Sequence, residues 1–240
     1  MTQTHELLEP EEPIEIYRAL PEPSRGREFM WSGGALLAAG LVLAALVVGW
    51  QSGLDASDRP VGLWFFDVAS GNEDILGYAK VFQRLGSGNV TGPVTALVLV
   101  VLALARRWGW LAWLAAVSFG GLIISEVLKH AIARERPTWP TPHFTEAGYS
   151  FPSGHTLSGV TSWVAIGILV LFILPRPWST VLGWIVIVFG VAMGPSRLFL
   201  GVHWVTDVLG SWLIGCGWLL LVSGWFLRRR GRVVSSPAVE

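Results

Sequence analysis

The sequence predicts an all-α membrane protein, a bundle of six transmembrane helices with an amphipathic segment at the interface between the first and the second. Three observations lead there. The 240 residues are 52% hydrophobic and only 14% charged, against about a quarter charged in an ordinary soluble domain. Six apolar runs approach the length needed to cross the hydrocarbon layer, about 20 helical residues at a rise of about 1.5 Å. Tryptophan, 14 residues in all, gathers near the ends of these runs, where the ring stays apolar and its N–H stays wet.

Residues 1–30 hold seven Glu and four Pro without an apolar period, which predicts a polar tail. Residues 31–230 form the membrane domain, and residues 231–240 a second tail. Trp31 to Trp50 is twenty residues without a charge. It predicts a retained helix rather than a signal peptide, because an acidic tail precedes it and a typical signal core has only about 7 to 15 residues. Between Pro60 and Asn89, the apolar Leu63, Trp64, Phe65 and Phe66 are followed by Asp67, Glu73, Asp74, Lys80 and Arg84. These charges forbid a span and predict an amphipathic segment along the interface. The remaining runs are 90–105, 110–128, 156–174, 178–193 and 204–227, with Pro175-Arg176-Pro177 forcing a hairpin between the fourth and fifth spans.

A net charge of zero, with no basic stripe, excludes a nucleic-acid partner. The single cysteine, Cys216, cannot form an internal disulfide and is expected to pack as a small hydrophobe. Positive residues concentrate on the cytoplasmic side of membrane proteins. Six spans with both termini inside put ten Arg inside, and leave Arg59, Lys80, Arg84, Lys129, Arg134, Arg136 and Arg197 outside. Those seven need another reason to exist.

Part of that reason lies in what shares their face. Lys129 and Arg136-Pro137 follow the third span, Pro152-Ser153-Gly154-His155 opens the fourth, and Ser196-Arg197 with His203 and Asp207 joins the fifth to the sixth. Phosphoryl transfer spreads negative charge over equatorial oxygens, so fixed cations aimed there lower its barrier. Lys129, Arg136 and Arg197 supply the cations. Ser153 is a candidate N-cap, Gly154 permits close backbone approach, and free N–H groups at a helix start bind anions. His203 and Asp207, four apart, would share a helical face, the carboxylate holding the imidazole in one tautomer. Glu126 is expected to pair with Lys129. Arg134, Glu135, His130 and His143 read as the solvated part of the loop.

Taken together, Lys129-x6-Arg136-Pro137, Pro152-Ser153-Gly154-His155 and Ser196-Arg197-x5-His203-x3-Asp207 resemble the three-part signature of the type 2 phosphatidic acid phosphatase superfamily, every position being filled. The resemblance implies a metal-independent phosphatase without cofactor, acting on a lipid phosphate such as phosphatidic acid, phosphatidylglycerol phosphate or polyprenyl diphosphate. It implies His203 as nucleophile, Asp207 as its orienting partner and His155 as general acid. Lys129, Arg136, Ser153, Gly154 and Arg197 would hold the phosphoryl group. The expected setting is the bacterial plasma membrane, with the site at the outer face. Two alternatives stay open on the residues alone: a lipid phosphotransferase using the same histidine, and an anion transporter or channel.

Overall fold

In the computed structural model the described residues are 19–234, so residues 1–18 of the expected 1–30 tail and the last six residues lie outside them. The described residues form helices: α1 (Gly26–Gly49), α2 (Gln51–Ser70), α3 (Glu73–Leu85), α4 (Gly88–Leu104), α5 (Trp108–Ile132), α6 (Gly154–Ser158), α7 (Ala165–Ile173), α8 (Trp178–Phe199) and α9 (Val205–Val234). Helices α6 and α7 are joined by a π-helical stretch, Gly159–Val164, into one continuous span over Gly154–Ile173.

Five helical segments are long and apolar enough to cross a membrane on their own. The sixth expected run lies in α4, which is long and apolar enough only together with α3, met at a 53° bend. The helices thus cover all six expected runs, several of them with longer ends. α1 starts at Gly26, ahead of Trp31, while α5 runs past Lys129 and α8 runs past Arg197. The expected interfacial segment is two helices rather than one, and begins earlier. α2 starts immediately after Trp50 and carries Pro60 inside it. α3 is capped by Asn72, whose Oδ1 accepts the N–H groups of Asp74 and Ile75 at 3.0 and 3.1 Å. Glu73 and Asp74 in its first turn and Arg84 in its last complement the helix dipole.

Small residues let helices approach. α1 and α9 run antiparallel, and a Cβ on Gly33 would lie 2.8 Å from the carbonyl oxygen of Gly217, the close backbone contact that replaces hydrophobic driving force in lipid. The apolar core lies between α4, α5, α7 and α9, where Leu114, Val117, Val160, Leu169 and Leu219 are buried and Cys216 packs against them. Leu97, Val101, Leu122, Val127, Ile185 and Val188 instead point outward and are exposed. An apolar outer surface on helices of this length suits hydrocarbon and not water. The chain is a multi-pass membrane protein.

Candidate active site

Four chain segments meet at one end of the bundle: the C-terminal ends of α5 and α8, the start of α6, and the turn Leu200–Trp204 before α9. The turn depends on Gly201, whose φ of +71° lies in the left-handed region. A Cβ there would also stand 2.6 Å from Trp139 Nε1, which donates to the Gly201 carbonyl at 2.7 Å. The loop between α5 and α6 is thus pinned to the turn that carries His203.

His203 and Asp207 come together, though not on one helical face. His203 precedes the first helical residue, Val205, and it is the turn that brings its Nδ1 to 3.4 Å from Asp207 Oδ2. The same Oδ2 accepts the Trp204 N–H at 2.8 Å, so Asp207 at the third helical position caps the start of α9. His203 Nε2 lies 3.0 Å from Arg136 Nη1. A guanidinium has only donors, so Nε2 must accept, and the ring proton sits on Nδ1 facing Asp207. Burial, and then the nearby Arg136 and Arg197 cations, hold the His203 imidazolium well below its ordinary pKa. The imidazole is neutral at pH 7, with its Nε2 lone pair directed at the cationic cluster.

Arg136 is fastened by the carbonyls of Val202, Gly148 and Ala147 at 2.9, 3.0 and 3.3 Å. Arg197 is fully buried. Its Nη2 donates to Glu146, while its Nε and Nη1 have no partner among the described residues. Glu146 also lies 3.5 Å from Arg136, so one carboxylate bridges the two guanidinium groups. Burial alone would raise the Glu146 carboxyl, but the Arg197 and Arg136 cations outweigh it and keep it below its ordinary range.

Lys129 is in ion-pair contact with Glu126 at 3.5 Å, as its spacing predicts. A Cβ on Gly154 would come within 3.1 Å of Lys129 Nζ, so the absence of a side chain at 154 lets the ammonium approach the α6 backbone. Ser153 occupies the N-cap position but makes no capping bond. Its hydroxyl instead accepts from Thr156 at 2.9 Å, a correction to the capping role expected of it. His155 Nε2 lies 3.1 Å from the Gln83 carbonyl at the end of α3. A carbonyl only accepts, so Nε2 carries the proton.

Lys129, Glu146, Gly154 and His155 stand at one end of a cavity of ≈ 440 Å³. The cavity continues along α5 as far as Ser118, between walls that include Phe119 and Leu122 of α5 and Ala96 of α4.

Two parts of this cluster escaped the sequence. Arg134, read there as solvated, is fully buried and bonded to Asp55, Asp58, Thr206 and Asp207. Glu146 carried no signal. His143, also read as solvated, is partly covered by stacking on Phe66 at 4.2 Å.

The model of the PAP2 superfamily matches residues 110–231, from the start of α5 to the end of α9. An undecaprenyl-diphosphatase of Sulfolobus acidocaldarius is 31% identical over 153 residues, 61% of this chain and 68% of that protein. A phosphatidylglycerophosphatase B of Bacillus subtilis is 32% identical over 145 residues, 59% and 70% of the two chains. The crystal structure of a transmembrane PAP2-type phosphatidylglycerolphosphate phosphatase from Bacillus subtilis superposes with a TM-score of 0.59 at 26% identity, covering 87% of this chain and 99% of that one. With its motifs converging on one buried cluster at the end of a six-span bundle, the chain belongs to the PAP2 superfamily.

Proposed function

We propose that the protein hydrolyses the phosphate or diphosphate group of a membrane lipid through a phosphohistidine on His203. The observation that carries this reading is the carboxylate of Glu146. It bridges Arg136 and Arg197 beside His203 Nε2, at the head of a cavity that opens between α4 and α5. An anion of that size is what a phosphoryl group would replace, and a groove with apolar walls suits a lipid chain behind it. The relatives named above, an undecaprenyl-diphosphatase and phosphatidylglycerol phosphate phosphatases, support the same substrate class.

In the first half-reaction the Nε2 lone pair of His203 attacks phosphorus and the bond from phosphorus to the leaving oxygen breaks. That oxygen takes a proton from His155, which enters the step as the imidazolium and leaves it as the neutral ring, so the product departs as a lipid alcohol or, from a diphosphate, as a lipid monophosphate. In the second, water attacks the phosphohistidine, its proton passes to His155, the P–N bond breaks and orthophosphate is released. Lys129, Arg136, Arg197 and the α6 backbone at Ser153 and Gly154 hold the phosphoryl oxygens, whose charge grows in the transition state. Asp207 keeps the His203 proton on Nδ1. His155 must first release the Gln83 carbonyl, or turn its ring, to meet the leaving oxygen. Three fixed cations meet the charge requirement without a metal.

Residues 31–230 are the catalytic unit. The excess of Arg on the opposite face favours both termini inside and the site at the outer face of the plasma membrane. The test is a panel of phosphatidic acid, phosphatidylglycerol phosphate and polyprenyl diphosphate, each assayed for free phosphate with purified protein in EDTA. Phosphate release from at least one is expected. Release from none, or activity that returns only with Mg²⁺, contradicts the reading.

A further inference from the structure

Arg134 takes no part in the steps above, yet it lies fully buried behind the pair that performs them. Its Nη1 donates to Asp207 Oδ1 at 2.6 Å and to Thr206 Oγ1 at 2.7 Å. Its Nη2 donates to Asp55 Oδ1 at 2.6 Å and to Asp58 Oδ2 at 3.0 Å. Asp58 closes the circle, since Thr206 Oγ1 donates to it at 2.5 Å. Asp55 and Asp58 both belong to α2, which supplies no residue to the reaction just described. A planar guanidinium fixes its partners in a set geometry, as an ammonium cannot.

The consequence falls on Asp207. With Oδ1 tied to Arg134 the carboxylate cannot swing, and Oδ2 alone faces His203 and the Trp204 N–H. One cation also serves three carboxylates, so its charge is divided between α2 and the catalytic pair. Burial holds the Asp58 carboxyl above its ordinary pKa, against the pull of Thr206 and Arg134.

We propose that Arg134 is a positioning residue of the phosphatase reaction: anchored by Asp55 and Asp58, it locks the Asp207 carboxylate in the orientation that selects the His203 tautomer. Helix α2 is thereby part of the catalytic apparatus. The proposal rests on the functional reading above, so wild-type protein is assayed alongside every variant. No turnover in wild type removes that reading; turnover in wild type with unaffected variants removes this one.

An ordinary buried ion pair would also cost stability when broken, so the readout has to be the chemistry. The charged and titratable groups around His203 are Asp207 of α9, Arg136 and Glu146 of the α5–α6 loop, Arg197 of α8 and His155 of α6. Removing Arg134 leaves more negative charge facing the imidazole and favours the imidazolium. The acid limb of the kcat/KM profile therefore moves to higher pH. Removing the charge of Asp58 leaves Arg134 to act harder on Asp207, and the limb moves to lower pH.

The experiment measures kcat, KM and the pH profile of full-length protein in lipid nanodiscs, with thermal stability recorded in parallel. Arg134→Gln is expected to lose about 100-fold in kcat at nearly unchanged KM, by analogy with loss of tautomer control in a triad. Arg134→Lys is expected to restore the pH limb, because it keeps the charge, and only part of kcat, because it lacks the fork. A kcat of Arg134→Gln within about threefold of wild type, or a reduced kcat with an unmoved acid limb, overturns the proposal. Should Arg134→Gln not fold, the isosteric Asp58→Asn decides: a limb moved to lower pH supports the proposal, and an unmoved limb overturns it.

Discussion

Arg134 and Arg197 are both completely buried at the same end of the bundle, and they differ in what surrounds them. Arg134 spends both terminal nitrogens on four fixed oxygens of the protein. Arg197 has one bonded nitrogen, held by a single carboxylate from a loop, while its Nε and Nη1 face no partner among the described residues. A buried donor without a partner costs free energy, about 1–3 kcal/mol and more for a charged group. A site retains that cost where a ligand will supply the missing acceptors. Arg134, with both terminal nitrogens bonded and only Nε left without a partner among the described residues, is built to hold the protein; Arg197, with Nε and Nη1 both left so, is built to hold something else.

The comparison breaks most visibly at Arg197. Arg197→Ala should lower kcat/KM by about 1,000-fold or more and abolish inhibition by orthovanadate, since it removes the cation that meets the developing charge. Retained vanadate inhibition would mean that the anion sits elsewhere. Asp207→Asn comes next, with an expected loss of at least about 100-fold in kcat from unchanged substrate binding, because an amide no longer selects the Nδ1–H tautomer. A near-normal kcat would leave the geometry around Asp207 purely structural.

Glu146 sharpens the comparison from the ligand's side. Its carboxylate occupies the place between Arg136 and Arg197 that an incoming phosphate needs, so Glu146→Gln should tighten vanadate binding by about fivefold, a charge-assisted contact being exchanged for a weaker neutral one. Unchanged or weaker binding would place the carboxylate outside the anion's path. The pH dependence follows from His203. Its pKa is lowered, so the reactive neutral form persists as pH falls through the ordinary histidine range. An unshifted imidazole would lose about threefold between pH 7 and pH 6; here kcat/KM, corrected for the ionisation of the substrate and of His155, should hardly change. A threefold loss would show that the histidine titrates normally. The smallest effect is expected at Gly201→Ala. A positive φ on a residue with a side chain costs about 1–3 kcal/mol, lowering stability and loosening the turn under His203, with a modest fall in kcat.

How much of this was legible in the sequence follows the range of the interactions. The six spans were readable because each is a local run of apolar residues. The gathering of Lys129, Arg136, Arg197 and both histidines was readable because three short motifs returned to one face. Glu126 with Lys129 followed from helical spacing. Arg134 did not, because its partners Asp55, Asp58 and Asp207 lie more than 70 residues away and no period connects them. A signal was present in the three-residue spacing of Asp55 and Asp58, which puts two carboxylates on one face of α2, but α2 was expected to start only at Pro60. Glu146 reaches Arg197 from an irregular loop, where side-chain direction has no sequence period. The capping role expected of Ser153 failed for a related reason. The neighbour that uses its hydroxyl, Thr156, is itself buried against it.

The most direct test is to trap the covalent intermediate. Wild-type protein is mixed with a lipid substrate carrying labelled phosphate, quenched in alkaline detergent within one turnover, and mapped by peptide mass spectrometry. Label on His203, acid-labile and absent from His203→Ala, is the predicted result. Steady turnover without label on any histidine, or undiminished turnover by His203→Ala, would contradict the account.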